Sequence, residues 1–171
     1  MAGLNPQVIG TDLTAGFAGS YSRQPDMIVN THPAGGESNI PFGSPLVYDD
    51  GTVVQFSALS TAAQFAGVAG REIKSSLTYL DQTPGEYAPG DPVSVFQRGS
   101  IQVYCQRGTP ALGGVVYVRT KPNGSYSSAV VGGFEAEDDS GNVVQLTNCQ
   151  WGGAPDANGI AELVILTRLN A

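Results

Sequence analysis

Charge is what this chain has least of. Only 13% of its 171 residues are Asp, Glu, Lys or Arg, about half the share of an ordinary globular domain. Helical bundles clothe their exposed faces with Glu, Lys and Arg, so this scarcity argues against one. Basic groups are scarcer still: two lysines and six scattered arginines stand against 15 acidic residues, a formal net charge of −7. Nucleic-acid backbones are held by clustered Lys and Arg, so nucleic acid is not an expected partner. Long apolar runs are missing as well, and none approaches the ~20 residues of a membrane-spanning helix. Met1 to Gly10 has neither the basic start nor the apolar stretch of a signal peptide. The expectation is a soluble chain made in the cytosol, with no membrane partner.

Side chains that do chemistry are equally sparse. His32 is the only histidine, and Asn30-Thr31-His32-Pro33 reads as an exposed polar loop. A general base needs an orienter and a nucleophile within hydrogen-bond reach, and no spacing here supplies them. Cys105 and Cys149 are the only cysteines, which without a secretion signal make no disulfide framework. One histidine and two isolated cysteines also fall short of the ligand sets typical of zinc. Cys105 ends the alternation Ile101-Val103-Cys105 and reads as a small buried hydrophobe on the inner face of a strand. Cys149 precedes the sole tryptophan, Trp151, and its placement stays open. The acidic doublets Asp49-Asp50 and Asp138-Asp139 converge only where the backbone turns. Each is followed by Gly, directly or after one Ser, which fits a turn rather than a carboxylate pair. Asp138-Asp139-Ser140-Gly141-Asn142 lacks the alternate-position ligands and closing Glu of a calcium loop. Gly132-Gly133 and Gly152-Gly153 lack the Lys-Ser/Thr of a phosphate loop. Catalytic, cofactor-binding and metal-ligating residues are therefore all expected to be none, and no enzyme is expected.

What the chain does have is punctuation: 23 glycines and 11 prolines among 41% hydrophobic residues. That is the composition of many short strands joined by turns. Leu46-Val47-Tyr48, Asp49-Asp50-Gly51 and Thr52–Phe56 read as strand, tight turn, strand. Phe65–Ile73 is a third strand, interrupted by Gly67 and Gly70. Ser57–Gln64 between them has room for one helical turn. Val93–Phe96 and Ser100–Cys105 follow, separated by a turn at Gln97-Arg98-Gly99. Val115–Arg119 is apolar on both faces and reads as central. Gly132–Ala136 and Val143–Leu146 flank the second acidic turn, and Ala161–Leu169 is the last strand. The fold class predicted is all-β: a compact sandwich or barrel of eight to nine short strands over 41–171. Residues 1–40, broken by Pro and Gly throughout, read as an irregular N-terminal arm that gains area by ordering against a partner.

Ordered runs in this body resemble the capsid cement, or decoration, proteins of tailed bacteriophages. They are Ile40-Pro41-Phe42-Gly43-Ser44-Pro45-Leu46-Val47, Phe65-Ala66-Gly67-Val68-Ala69 and Tyr87-Ala88-Pro89-Gly90-Asp91-Pro92 through Val103. Gly114–Val118, Gly133-Phe134 and the terminal apolar strand complete the pattern, which spans roughly 26–169. The longer loop near Ser75–Glu86 and the insertion at Cys149–Gly153 depart from it. The resemblance implies a non-enzymatic virion protein on the capsid exterior, seated over junctions between major capsid subunits and stiffening the head. Its implied partners are the major capsid protein and itself, as dimer or trimer. The alternative is a receptor- or glycan-binding β module of a tail or fibre, which would need an exposed aromatic platform around Trp151. A hydrolase would need two carboxylates meeting in a pocket.

Overall fold

The computed structural model describes residues 15–72 and 85–169. Its hairpin signal folds as read. β3 (Pro45–Asp49) and β4 (Thr52–Gln55) pair antiparallel with Asp49 opposite Thr52. Asp50 and Gly51 sit at φ 42° and 79°. These are the two left-handed positions of a type I′ turn, whose twist matches that of the flanking strands. The expected helical turn appears as a single 3₁₀ turn at Ala62–Gln64. β5 (Phe65–Ala69) then adds to the other edge of β3, and all five of its residues are buried. A strand covered on both faces reads as an unbroken apolar run rather than an alternation. Gly67 is required there, because its φ is 152° and a Cβ would collide with the Phe96 carbonyl oxygen. Ile73, read as the end of this strand, lies outside the described residues, as does most of the loop near Ser75–Glu86.

β7 (Pro92–Arg107) is a single strand of 16 residues, not the two strands and a turn expected from Gln97-Arg98-Gly99. Gly99 reaches φ 101° yet keeps its place in the ladder opposite Ile165, so the chain passes through without turning back. The first half of β7 pairs with β5 on one side, Val68 opposite Phe96. The second half pairs with β11 (Ile160–Ile165) and, in parallel, with β9 (Phe134–Glu135). β8 (Val115–Arg119) lies between β9 and β10 (Val143–Trp151), and β10 pairs with β11. Strands β7, β11, β10, β8 and β9 thus close into a ring without a free edge. The last strand stops at Ile165, four residues short of the expected Leu169, which is exposed.

Residues 21–33 do not remain an arm. They form β1 (Tyr21–Pro33), antiparallel to β7, with Val29 opposite Phe96 and His32 opposite Val93. The alternation was hidden because β1 shifts register between Arg23 and Ile28. At that point Gly99 lets the two backbones touch: a Cβ on it would stand 2.8 Å from the Asp26 carbonyl oxygen. Ala34 then makes a parallel bridge to Val53, so β1, β7, β5, β3 and β4 form a second, looser circuit. We call it the wing.

Two cores fill the body, and β3, β5 and β7 line both. Phe56, Phe65, Phe96, Ile101, Val103, Phe134, Leu146, Trp151 and Leu163 belong to the larger cluster. Ala34, Ile40, Leu46, Val53, Ala69, Tyr87, Val93 and Val95 form the smaller one. β7 supplies both, Val93 and Val95 to one and Phe96 through Cys105 to the other. A two-residue ribbon, β2 (Ile40–Pro41) with β6 (Glu86–Tyr87), covers the smaller core. Its anchor is Tyr87, whose buried hydroxyl donates to the Gly70 carbonyl at 2.5 Å. Burial pushes that phenol up to about 12.

Candidate functional site

The residues singled out by composition are dispersed. His32 is half-buried on β1, its ring edge-on to Tyr48 with centroids 5.1 Å apart. That replaces the exposed loop histidine expected. Asp49-Asp50 is the hairpin tip. Cys105 and Cys149 are both buried in the larger core, and burial pushes both thiols up. Trp151 is 0% exposed, so the platform that the glycan-binding alternative requires does not exist at this residue. Among the described residues no group of three His, Cys, Asp or Glu side chains could hold a metal ion. Among them also no helix is long and apolar enough to cross a membrane.

Asp138-Asp139 does more than turn the chain. β8 ends in Arg119 and β9 in Glu135, and both side chains are 0% exposed. Arg119 donates through Nε to Glu135 Oε1 at 2.5 Å and through Nη2 to Oε2 at 3.0 Å, a two-point fork between planar groups. Its Nη1 lies 2.9 Å from Asp139 Oδ2. Burial works against the Arg119 charge, but the bonds to Glu135 and Asp139 outweigh it and raise its pKa above the ordinary value. Hydrogen bonds from Asn123 and then Arg119 hold the Asp139 carboxyl below the usual range. Sequence reasoning missed this cluster. Its faint signal was a charged residue ending each of two apolar strands.

The same cluster pins the 121–133 loop. Gln106, near the end of β7, clamps Val130 at both backbone atoms: its Oε1 accepts the Val130 N–H and its Nε2 donates to the Val130 carbonyl, each at 2.9 Å. Arg107 stands over the Tyr126 ring, 4.2 Å from its centroid, a cation–π contact. A loop fastened in this way could have turned its apolar side chains inward. Instead Val130 is 62% exposed, and Tyr104 on the neighbouring face of β7 is 53% exposed. They flank a cleft of about 240 Å³ whose lining includes Phe42, Gln106, Ser128 and Phe134. None of the described residues lining it is charged.

Known proteins share this chain's sequence pattern and its fold. The family model described as structural cement protein (E217 gp24/Pam3 gp6) matches residues 5–166. A chain from the capsid of Myoviridae phage XM1 shares the fold, with a TM-score of 0.71 and 16% identity over 98% of this chain and 99% of that one. The N base of head fiber gp8.5 of bacteriophage phi29 reaches a TM-score of 0.40 at 16% identity, covering 85% of this chain and 99% of that one. That last likeness carries no argument. No curated protein matches the chain. With a family match running almost from end to end, the chain belongs to the structural cement proteins of phages.

Proposed function

We propose that this protein docks on the outer face of a phage capsid as a homo-oligomer and bridges neighbouring major capsid subunits. Its role is structural, the stabilisation of a capsid. The observation that carries the docking reading is the uncharged cleft with Tyr104 and Val130 held outward at its rim. Low overall charge supports it, since a surface laid against other protein pays little for desolvating ionic groups. Hydrolysis by paired carboxylates gains no support: Asp139 is tied to Arg119, and Asp49-Asp50 occupies a hairpin tip.

The N-terminal contribution is best tested on residues 1–14. Removing all of 1–40 would strip β1 from β7 and break the body. Light scattering gives the oligomeric state of the purified protein, which is then mixed with undecorated heads of its own phage. Saturable binding at a fixed ratio to the capsid subunit, with heads surviving more heat, is the expected result. A protein that ignores heads overturns the proposal. Loss of occupancy on removing 1–14 assigns part of the contact to that segment, and unchanged occupancy assigns it to the body alone.

A further inference from the structure

We propose that the open edge of β4 receives an extended, Lys- or Arg-bearing segment of the capsid partner, added to the wing as a further strand. This contact presupposes that the protein bridges capsid subunits, as proposed above, and gives one of those contacts a chemistry. β4 is covered at one end only. Val53 is bridged by Ala34, and its carbonyl accepts the Gly35 N–H at 2.8 Å. A Cβ on Gly35 would collide with Thr52 Oγ1, so the two backbones meet closely there. At Gly36 φ reaches 74°, and the chain leaves β4. Within the hairpin the Phe56 N–H is spent on the Pro45 carbonyl at 2.9 Å. Backbone groups alternate sides along a strand, so Gln55 faces away from β3, as Val53 does. No backbone partner meets Gln55 on that side among the described residues.

Where the two chains part lies a groove of about 350 Å³, lined by Val54, Phe56 and Val131 together with Glu37 and Asn39. Asn39 donates to Glu86 Oε1 at 2.6 Å, which brings a second carboxylate to the groove. Asp49 and Asp50 occupy the tip of the hairpin to which β4 belongs. No Lys or Arg occurs in 24–70 or in 85–97, so these stretches supply carboxylates and no cation to balance them. That sets the groove apart from the uncharged cleft beside Tyr104 and Val130. A free sheet edge selects an extended backbone, and its apolar lining takes alternate side chains. The carboxylates then select the remaining side chains as basic. A second copy of β4 is a poor occupant, because it would bring its own Glu37, Asp49 and Asp50 against these.

The first test uses the full-length protein and a peptide without heads, so its failure leaves the capsid reading standing. Backbone-amide NMR follows titration with acetyl-Lys-Val-Lys-Val-Lys-amide, and with acetyl-Glu-Val-Glu-Val-Glu-amide as the control. The basic peptide is expected to shift amides of 35–39 and 53–57, saturating at roughly millimolar concentration. Glu37→Lys, at an exposed position, should weaken that binding about ten-fold. Gln55→Pro removes the outward N–H and should abolish the shifts at 53–57 while the rest of the spectrum stays folded. Equal shifts from the acidic peptide, or shifts by the basic one confined to other surfaces, would overturn the assignment. So would binding that Glu37→Lys leaves unchanged. On undecorated heads, Glu37→Lys should lower occupancy at limiting protein, and unchanged occupancy would remove the capsid as the source of the segment.

Discussion

The ring and the wing share one strand and solve closure differently. Ring strands meet neighbours on both edges through ladders, and where the ring ends at Arg119 and Glu135 it buries opposite charges. The wing closes through one bridge, Ala34 to Val53, and a two-residue ribbon held by the Tyr87 hydroxyl. Burying a charge costs several kcal/mol and is tolerated only when its partner is in place. Burying a phenol with one good acceptor costs far less. The ring therefore fails abruptly when one side chain is lost, whereas the wing loosens.

Glu135→Ala should have the largest effect, about 3 kcal/mol, because Arg119 is left buried with Asp139 as its one remaining carboxylate among the described residues. Denaturant unfolding measures it, and a loss under ~1 kcal/mol would erase the distinction drawn above. Replacing the pair together, as Arg119→Met with Glu135→Leu, should recover most of that loss. Gly67→Ala comes next at about 2–3 kcal/mol, since β5 is pressed against β7 where no side chain fits. It tests the shared strand itself, and both halves should melt together.

Tyr87→Phe should cost about 1–2 kcal/mol by leaving the Gly70 carbonyl unpaired. The same substitution has a pH signature. Tyr87 is raised in the folded state, so its contribution is complete below its ordinary value of 10.0 and is lost as pH rises through about 12. Stability of the wild type should fall over that alkaline interval, and Tyr87→Phe should fall less. Equal slopes would mean that the phenol is not sequestered.

The smallest expected effect is at Asp139. Its pKa is depressed, so its contribution is present above the ordinary 3.8 and is lost as pH falls below it. Asp139→Asn should be slightly less stable near neutrality and should show a shallower loss in acid. A steeper acid loss in the variant would sink the assigned pairing.

Local signals carried most of what could be read from the chain. Asp50-Gly51 announced a turn because φ above zero is a property of those residues themselves. Ile101, Val103 and Cys105 announced a buried face because strand periodicity is local. The same logic misread Gln97-Arg98-Gly99: glycine signals an unusual φ, and only the partner strand decides whether it turns or continues. β1 was illegible for a related reason, since its ladder lies some seventy positions away and its register shifts midway. Arg119 and Glu135 are 16 residues apart with no repeating interval to join them. The cleft draws on five separate stretches, so its emptiness of charge is visible only once the chain is folded.

β7 also has a mechanical meaning. Because both circuits hang on one covalent strand, tension entering through either is carried to the other along its sixteen residues. A free edge can be peeled, one hydrogen bond at a time. A closed ring offers no end to peel from, so a pull along β7 must shear several bonds at once. For a structural cement protein of a phage, that makes the fastener itself hard to unzip under load.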